Sequence, residues 1–187
     1  MKSRARPAVI ETWGSSAAER GATYPCDALI ERPDLVLFRA VDVAAPPQLV
    51  FRWLCQLRVA PYSYDLIDNL GRRSPRSLTP GLGALAVGQR FMIFRLVSFE
   101  QGSSITLDST SRLFGRVALT YRISPGSGAA CRLVAKLMVV APPGPLGLVD
   151  RHLLPAGDLI MMRKQLRTIK ALAERDAAVT PTVERLS

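Results

Sequence analysis

The strongest pattern in this sequence lies near its C-terminus. From Asp158 onward, DLIMMRKQLRTIKALAERDA places apolar residues at spacings of three and four, with cations on the other side. The apolar stripe is formed by Leu159, Met162, Leu166, Ile169 and Ala173. This spacing predicts a long amphipathic helix over Ala156–Asp176, with Asp158 in the first turn, where the helix dipole favours an acid. Such a helix needs an extended apolar surface to pack against.

A β-sheet is predicted to supply that surface. The segment Asp34–Val43 alternates apolar and other residues, as a strand with one buried face does. Further strand-like runs are Gln89–Phe99, Ser104–Ser109, Arg116–Ile123 and Arg132–Val140. The turns between the later runs are short, which requires antiparallel neighbours.

Two short helices are predicted after the first strand. Val50, Trp53, Leu54 and Leu57 form an apolar stripe, and a second helix is expected from a cap at Ser63 to a glycine stop. The fold class is therefore α+β, a curved antiparallel sheet of about six or seven strands wrapped around the long C-terminal helix. We expect an N-terminal lead-in over 1–33, one domain over 34–177 and a tail over 178–187.

Composition narrows the class of protein further. No apolar run reaches the ~20 residues that a membrane helix needs, and the N-terminus lacks the apolar core of a signal peptide, so a cytoplasmic location is expected. The chain has 3 cysteines without paired spacing and 1 histidine. This set predicts no metal site, and nothing in the sequence predicts a cofactor.

The net charge of +10 suggests an anionic partner. However, the basic residues are spread from Arg4 to Arg185, and the cluster of Arg72, Arg73 and Arg76 has no aromatic residues beside it. This distribution is typical of a solvated surface and argues against nucleic acid. Binding to an anionic membrane or nucleic acid stays an alternative function.

The order of segments resembles a known superfamily. The matching segments are Trp13-Gly14, Arg39 with Val41 and Val43, Ala45-Pro46-Pro47, Trp53-Leu54, Tyr62–Asp65, Leu85–Gly88 and the MMRKQLRTIKALAE segment. Together they resemble the START-like superfamily, and more narrowly its bacterial polyketide cyclase/dehydrase members. The resemblance implies a helix-grip fold and a cavity for a hydrophobic small molecule, lipid-like or polyketide-like. It carries no catalytic constellation over to this chain.

Arg39 is the first candidate site residue. It shares strand parity with Leu37 and Val41, so it is predicted to face the core or cavity. A buried arginine needs an acceptor, and the candidates are Asp65, Asp68 and Asp108. Either Arg39 forms a salt bridge that fixes the first strand to the rest of the domain, or it binds a carbonyl or carboxylate group of a ligand.

Tyr62, Tyr64 and Asp65 are expected near the cavity mouth. Phenol rings suit the lining of an apolar pocket, and Asp65 is a candidate general acid or base if burial raises its pKa. The alternative is a cluster that caps and packs the second helix.

The remaining candidates are Met162 and Leu166 on the apolar face of the final helix, and Asp108 in the ITLDST strand. Asp108 is expected either on the inward face or on the solvated face. His152 has no companion residues that would make a catalytic triad. The leading hypothesis is a binding protein for a hydrophobic small molecule, and the alternative is a metal-independent cyclase or dehydratase that uses Asp65.

Overall fold

The computed structural model describes residues 9–62, 74–111 and 115–179, and for residues 9 and 145–154 it describes the backbone only. Six antiparallel strands form one sheet in the spatial order β1-β6-β5-β4-β3-β2. The strands are β1 Leu35–Val43, β2 Arg90–Phe91, β3 Phe94–Glu100, β4 Ser104–Ser111, β5 Gly115–Pro125 and β6 Cys131–Val140. The predicted antiparallel sheet is thus confirmed.

One predicted strand is divided. The run Gln89–Phe99 forms the short strand β2 and the longer β3, which pair with each other through Phe91 and Phe94. Met92 between them has a φ of 54°, in the left-handed region that reverses the chain. The segment Gln89–Phe99 contains no glycine or proline that would mark this turn. The periodic pattern therefore did not indicate it.

The C-terminal helix is longer than predicted. It spans Pro145–Val179, the last helix of the described chain, whereas the pattern predicted a start at Ala156. Pro155, which provides no backbone N–H, suggested a helix boundary in the sequence. In the structure the helix continues through it. Asp158 is therefore well inside the helix rather than in its first turn, and His152 lies within the helix rather than before it.

The inner face of the sheet packs against this helix. Between β1 and β2, one helix spans Pro47–Cys55 and a 3₁₀ turn follows at Gln56–Arg58. The predicted second helix from Ser63 lies outside the described residues. The inner core combines the odd-numbered residues of β1, β5 and β6 with both helices, and its fully buried members include Leu37, Trp53, Leu54, Leu133, Leu166 and Ile169.

The N-terminal segment covers the outer face of the sheet. It contains α1 Val9–Thr12, α2 Ala17–Gly21 and a 3₁₀ turn at Pro25–Ala28. We number the later helices α3 (Pro47–Cys55) and α4 (Pro145–Val179). The segment begins at the free edge of β1, where the Ala40 N–H donates to the Trp13 carbonyl at 3.1 Å.

A second, smaller core lies beneath this segment. Its buried members are Tyr24, Cys26, Ile30, Phe38, Ala40, Ala118, Val134 and Met138. Lys136 lies among them, forms an ion pair with Asp27 and sits over the rings of Tyr24 and Phe38 at 5.2 and 5.5 Å. The part of the sheet formed by β1, β5 and β6 is therefore buried on both faces, unlike the one-sided sheet that the strand alternation suggests.

Candidate functional site

A row of three side chains crosses the inner face of the sheet beneath α4. Arg39 on β1 and Tyr121 on β5 are both direct partners of Ala135, which lies on β6 between them. Residues opposite each other in adjacent strands point to the same face. The small methyl group of Ala135 therefore separates a guanidinium from a phenol, with α4 above.

Asp158 on α4 completes an ion pair with Arg39. Its Oδ2 lies 2.7 Å from Nη2 of Arg39, and the two side chains are only 11% and 1% exposed. Arg39 also donates from Nη1 to the Phe38 carbonyl at 2.8 Å and from Nη2 to the Pro155 carbonyl at 3.4 Å. Its Nε–H is buried and has no acceptor among the described residues. One donor of this guanidinium thus stays available.

The burial of this pair changes the acidity of both groups. Burial raises the pKa of Asp158 to about 6, although the Arg39 charge opposes the rise. Burial lowers the pKa of Arg39, and Asp158 opposes that shift. Burial, with the Asp158 charge second, raises the pKa of the Tyr121 phenol. The site therefore holds a carboxyl group that exchanges its proton near neutral pH beside a phenol that stays protonated.

This acidity predicts a pH-dependent stability. The pKa of Asp158 in the folded protein, about 6, lies above its value in an unfolded chain, about 3.9. The folded state thus binds the extra proton, and the stability it contributes is complete below pH ~4 and lost as the pH rises through ~6, on the order of 3 kcal/mol. Denaturant titrations between pH 4 and 7 should show this decline in the wild type and not in Asp158→Asn. Equal slopes in both proteins would contradict a raised pKa.

Tyr121 connects the sheet to the helix through a second polar contact. Its hydroxyl lies 2.5 Å from Oε1 of Gln165 and 3.8 Å from the sulfur of Met162. Gln165 in turn donates from Nε2 to the Pro61 carbonyl at 2.7 Å. Asp158, Met162 and Gln165 are spaced by four and three residues on one face of α4. The helix thus presents a polar strip to the inner face of the sheet.

Tyr62 follows Pro61 in the sequence and has an unusual backbone conformation. Its φ is 56°, in the left-handed region that costs a non-glycine residue about 1 kcal/mol or more. Its ring is 1% exposed and meets Trp53 edge-on, with centroids 5.9 Å apart. Trp53 also donates to Oδ2 of Asp176 on α4 at 3.1 Å. Packing holds Tyr62 in this conformation at the boundary of the site.

The structure brings together part of the predicted site. Arg39, Tyr62, Met162 and Leu166 all belong to the buried interior between the sheet and α4. Tyr64, Asp65 and Asp68 lie outside the described residues. Met161, next to Met162 in the sequence, is 42% exposed.

Asp108 lies on the outer face, the second of its two expected positions, so it is not the partner of Arg39. It opposes Ala118, an outer-face residue, and so points away from α4. Its Oδ2 pairs with Nη2 of Arg116 at 3.3 Å. Strand parity explains this, because Leu107 beside it faces the inner core. Asp158 is the partner of Arg39. It was not among the predicted carboxylates, of which the structure describes only Asp108.

Sequence analysis missed three residues of this cluster. Asp158 was assigned to a helix start, whereas Tyr121 and Gln165 were not singled out. A usable signal existed for the last two, because Tyr121 shares parity with Leu119 and Ile123, and Gln165 interrupts the apolar stripe of the helix. A polar group at a core position is an informative departure from the pattern.

The thiols do not extend the site. Cys26, Cys55 and Cys131 are buried and free, and burial raises the pKa of Cys55 and of Cys131 to about 11 each. Such thiols carry little thiolate at neutral pH. Within the described ranges, no group of three His, Cys, Asp or Glu side chains is arranged to hold a metal ion. No helix in that part of the chain is long and apolar enough to cross a bilayer.

Comparison with solved structures supports the fold. The StfQ di-domain aromatase/cyclase of the steffimycin biosynthetic pathway matches with a TM-score of 0.52 at 15% identity, over 76% of this chain and 51% of StfQ. This chain therefore spans about half the length of that protein. The Zhui aromatase/cyclase from a Streptomyces species has a TM-score of 0.49 at 16% identity, over 75% of this chain and 93% of that chain. A protein of Mesorhizobium loti has a TM-score of 0.49 at 15% identity, over 75% and 97%.

At these identities the likeness defines the fold alone. The chain has a helix-grip fold, with an antiparallel sheet around a long C-terminal helix. No protein-family model and no curated protein matches the sequence.

Proposed function

We propose that this protein binds an apolar small molecule between the inner face of the sheet and α4, and that Arg39 holds a polar oxygen of that molecule. The observation that carries the proposal is the guanidinium itself, which is 1% exposed and has a buried Nε–H without an acceptor among the described residues. An unpaired buried donor costs ~1–3 kcal/mol, so a ligand carbonyl or carboxylate there would recover that cost.

The surroundings of Arg39 suit an amphipathic ligand. Leu37, two residues before Arg39 on the same face of β1, is fully buried, and Ala135 opposite Arg39 has only a methyl group as its side chain. Leu166, two turns beyond Asp158 on α4, is also fully buried and apolar. Ligand sites of this kind combine an apolar lining with a few placed polar groups. Tyr62 and Met162 are proposed as further lining residues, and Tyr64 and Asp65 stay candidates outside the described residues. The proposed ligand class is lipid-like or polyketide-like, and the aromatase/cyclase name of the StfQ match supports the second.

The experiment has two parts. Native mass spectrometry and solvent extraction of the purified chain should reveal a bound apolar molecule. Titration with cis-parinaric acid, a fluorescent polyene with a carboxylate head, then measures affinity. In the double variant Arg39→Met/Asp158→Leu we expect binding about 10- to 100-fold weaker, the range of a hydrogen bond to a charged group.

The matched control is the ion pair on the other side of the sheet. Lys136→Met/Asp27→Leu also removes one cation and one carboxylate and leaves the net charge unchanged. It should bind the probe as the wild type does. Equal weakening in both double variants, or none in either, would refute a role for Arg39 in binding.

A second candidate function is a cyclase or dehydratase that needs no metal. The observation that favours it is a carboxyl group with a pKa of about 6 on the same buried face of α4 as the contacts of Tyr121. Such a group transfers protons effectively near neutral pH. With an added polyketide-like substrate, Asp158→Asn should reduce turnover at least 100-fold. The variant Asp65→Asn tests Asp65, the general acid or base predicted from the sequence. Unchanged rates in both variants would exclude these carboxylates.

A further inference from the structure

The solvent face of α4 carries an unusual combination of side chains. Ile160 is 56% exposed on the side of the helix opposite to Asp158, and Met161, about 100° further around the helix, is 42% exposed at the edge of that side. Arg163, Lys164 and Arg167 follow within two turns and are also exposed. Residues three, four and seven apart lie on one helix face, so these cations surround Ile160. We call these five residues the Ile160 face.

The charge of the Ile160 face is not compensated. The segment 159–173 contains four cations and no aspartate or glutamate. Of these cations, only Lys170 forms an ion pair within the described part of the chain, with Glu174. Some cations on other elements have carboxylate partners, namely Arg39, Arg116, Arg132 and Lys136. A local excess of three positive charges therefore surrounds Ile160 and borders Met161.

An indole lies at the border of this face. Arg163 and Arg167 stand over the ring of Trp13 at 5.4 and 5.6 Å from its centroid. Trp13 is half-buried at the junction of α1, β1 and α4. Tryptophan and arginine together are common where a protein meets the head groups of a bilayer, since each has an apolar body and a polar tip.

We propose that the Ile160 face docks on the surface of an anionic phospholipid membrane. The three cations would neutralise lipid head groups, while Ile160 and Met161 would enter the boundary between head groups and acyl chains. A nucleic acid would complement the charge but would gain nothing from exposed aliphatic side chains, so the membrane fits both features. This inference does not depend on ligand binding.

Docking in this orientation has a consequence for the interior. Asp158 and Ile160 lie on opposite sides of one helix, whose diameter is ~10 Å. The Arg39–Asp158 pair would then lie about one helix diameter from the lipid head groups.

The test uses the full chain and vesicles of defined composition. Flotation with phosphatidylcholine vesicles containing phosphatidylserine is expected to recover the protein at low salt, and pure phosphatidylcholine vesicles should not. Arg163→Gln/Lys164→Gln/Arg167→Gln should weaken partitioning on the order of 100-fold, since each basic residue near such a surface contributes about fivefold. Ile160→Ser/Met161→Ser should weaken it at least ~10-fold.

Two control variants separate this face from the overall charge. Arg32→Gln/Arg52→Gln/Arg90→Gln removes three exposed arginines from other elements, and Val87→Ser/Ile93→Ser removes two side chains that are 67% and 70% exposed. Both controls should partition as the wild type does. The proposal is overturned if the arginine control loses as much binding as the Ile160-face variant. It is also overturned if vesicles are not bound at low salt, or if the chain binds duplex DNA through the same residues and leaves vesicles free.

Discussion

Arg39→Met is expected to lower the free energy of unfolding at pH 7 by about 3–5 kcal/mol, the range for breaking a buried ion pair. The variant leaves Asp158 buried without its counter-charge. Asp158→Leu should cost at least as much, because an arginine cannot shed its proton in a protein whereas an aspartate can. The loss in Arg39→Met should therefore shrink at pH 5, and the loss in Asp158→Leu should not.

The double variant Arg39→Met/Asp158→Leu distinguishes an ion pair from two independent contributions. Replacing both partners with apolar residues of similar volume is often neutral or stabilising, so we expect stability close to that of the wild type. Urea denaturation of all four proteins gives the coupling energy directly. Additive losses in the double variant would show that the 2.7 Å contact does not couple the two residues energetically.

Gly14→Ala should destabilise the protein by about 3 kcal/mol. Gly14 has a φ of 74°, and a Cβ placed there would lie 2.2 Å from the carbonyl oxygen of Ala40. The left-handed conformation alone costs an alanine ~1–2 kcal/mol. Moving the backbone away would also break the Ala40–Trp13 hydrogen bond and the contact of Arg132 Nη2 with the Gly14 carbonyl at 2.5 Å.

The expected effect is local to the N-terminal segment. Amide hydrogen exchange should increase in residues 9–33 and in β1 before the rest of the sheet responds. Gly21→Ala is the matched control, because nothing lies within 4 Å of a Cβ at that position and its φ is not positive. That substitution should be neutral or slightly stabilising. If Gly14→Ala behaves like Gly21→Ala, the close approach at Ala40 does not constrain the chain.

Most of the fold followed from periodicity. The alternation in β1 and the three- and four-residue spacing in α4 are local properties, and each requires an apolar partner surface. The predicted start of α4 was wrong because the helix continues through Pro155, a residue that usually marks a helix boundary. The outer layer was missed because Tyr24, Cys26 and Ile30 lie in short turns that have no periodic pattern.

The site was predicted less completely, for a different reason. Strand parity predicted that Arg39 lies in the interior, and in the structure its exposed fraction is 1%. Its partner depends on how α4 is rotated and translated relative to the sheet, and that register arises from packing rather than from local pattern. The contact between Tyr121 and Gln165 likewise depends on packing, because it requires β5 to lie two strands from β1 beneath α4.

The edges of the sheet have a practical consequence. β2 closes one edge with only two residues, and Trp13 covers the opposite edge by accepting the Ala40 N–H. A chain shortened to begin near β1 would expose a nine-residue strand with unpaired backbone groups, together with the apolar outer face. Open strand edges of this kind recruit one another into aggregates. A shortened version of this protein that begins after residue 33 is therefore expected to aggregate more readily than one that retains residues 9–33.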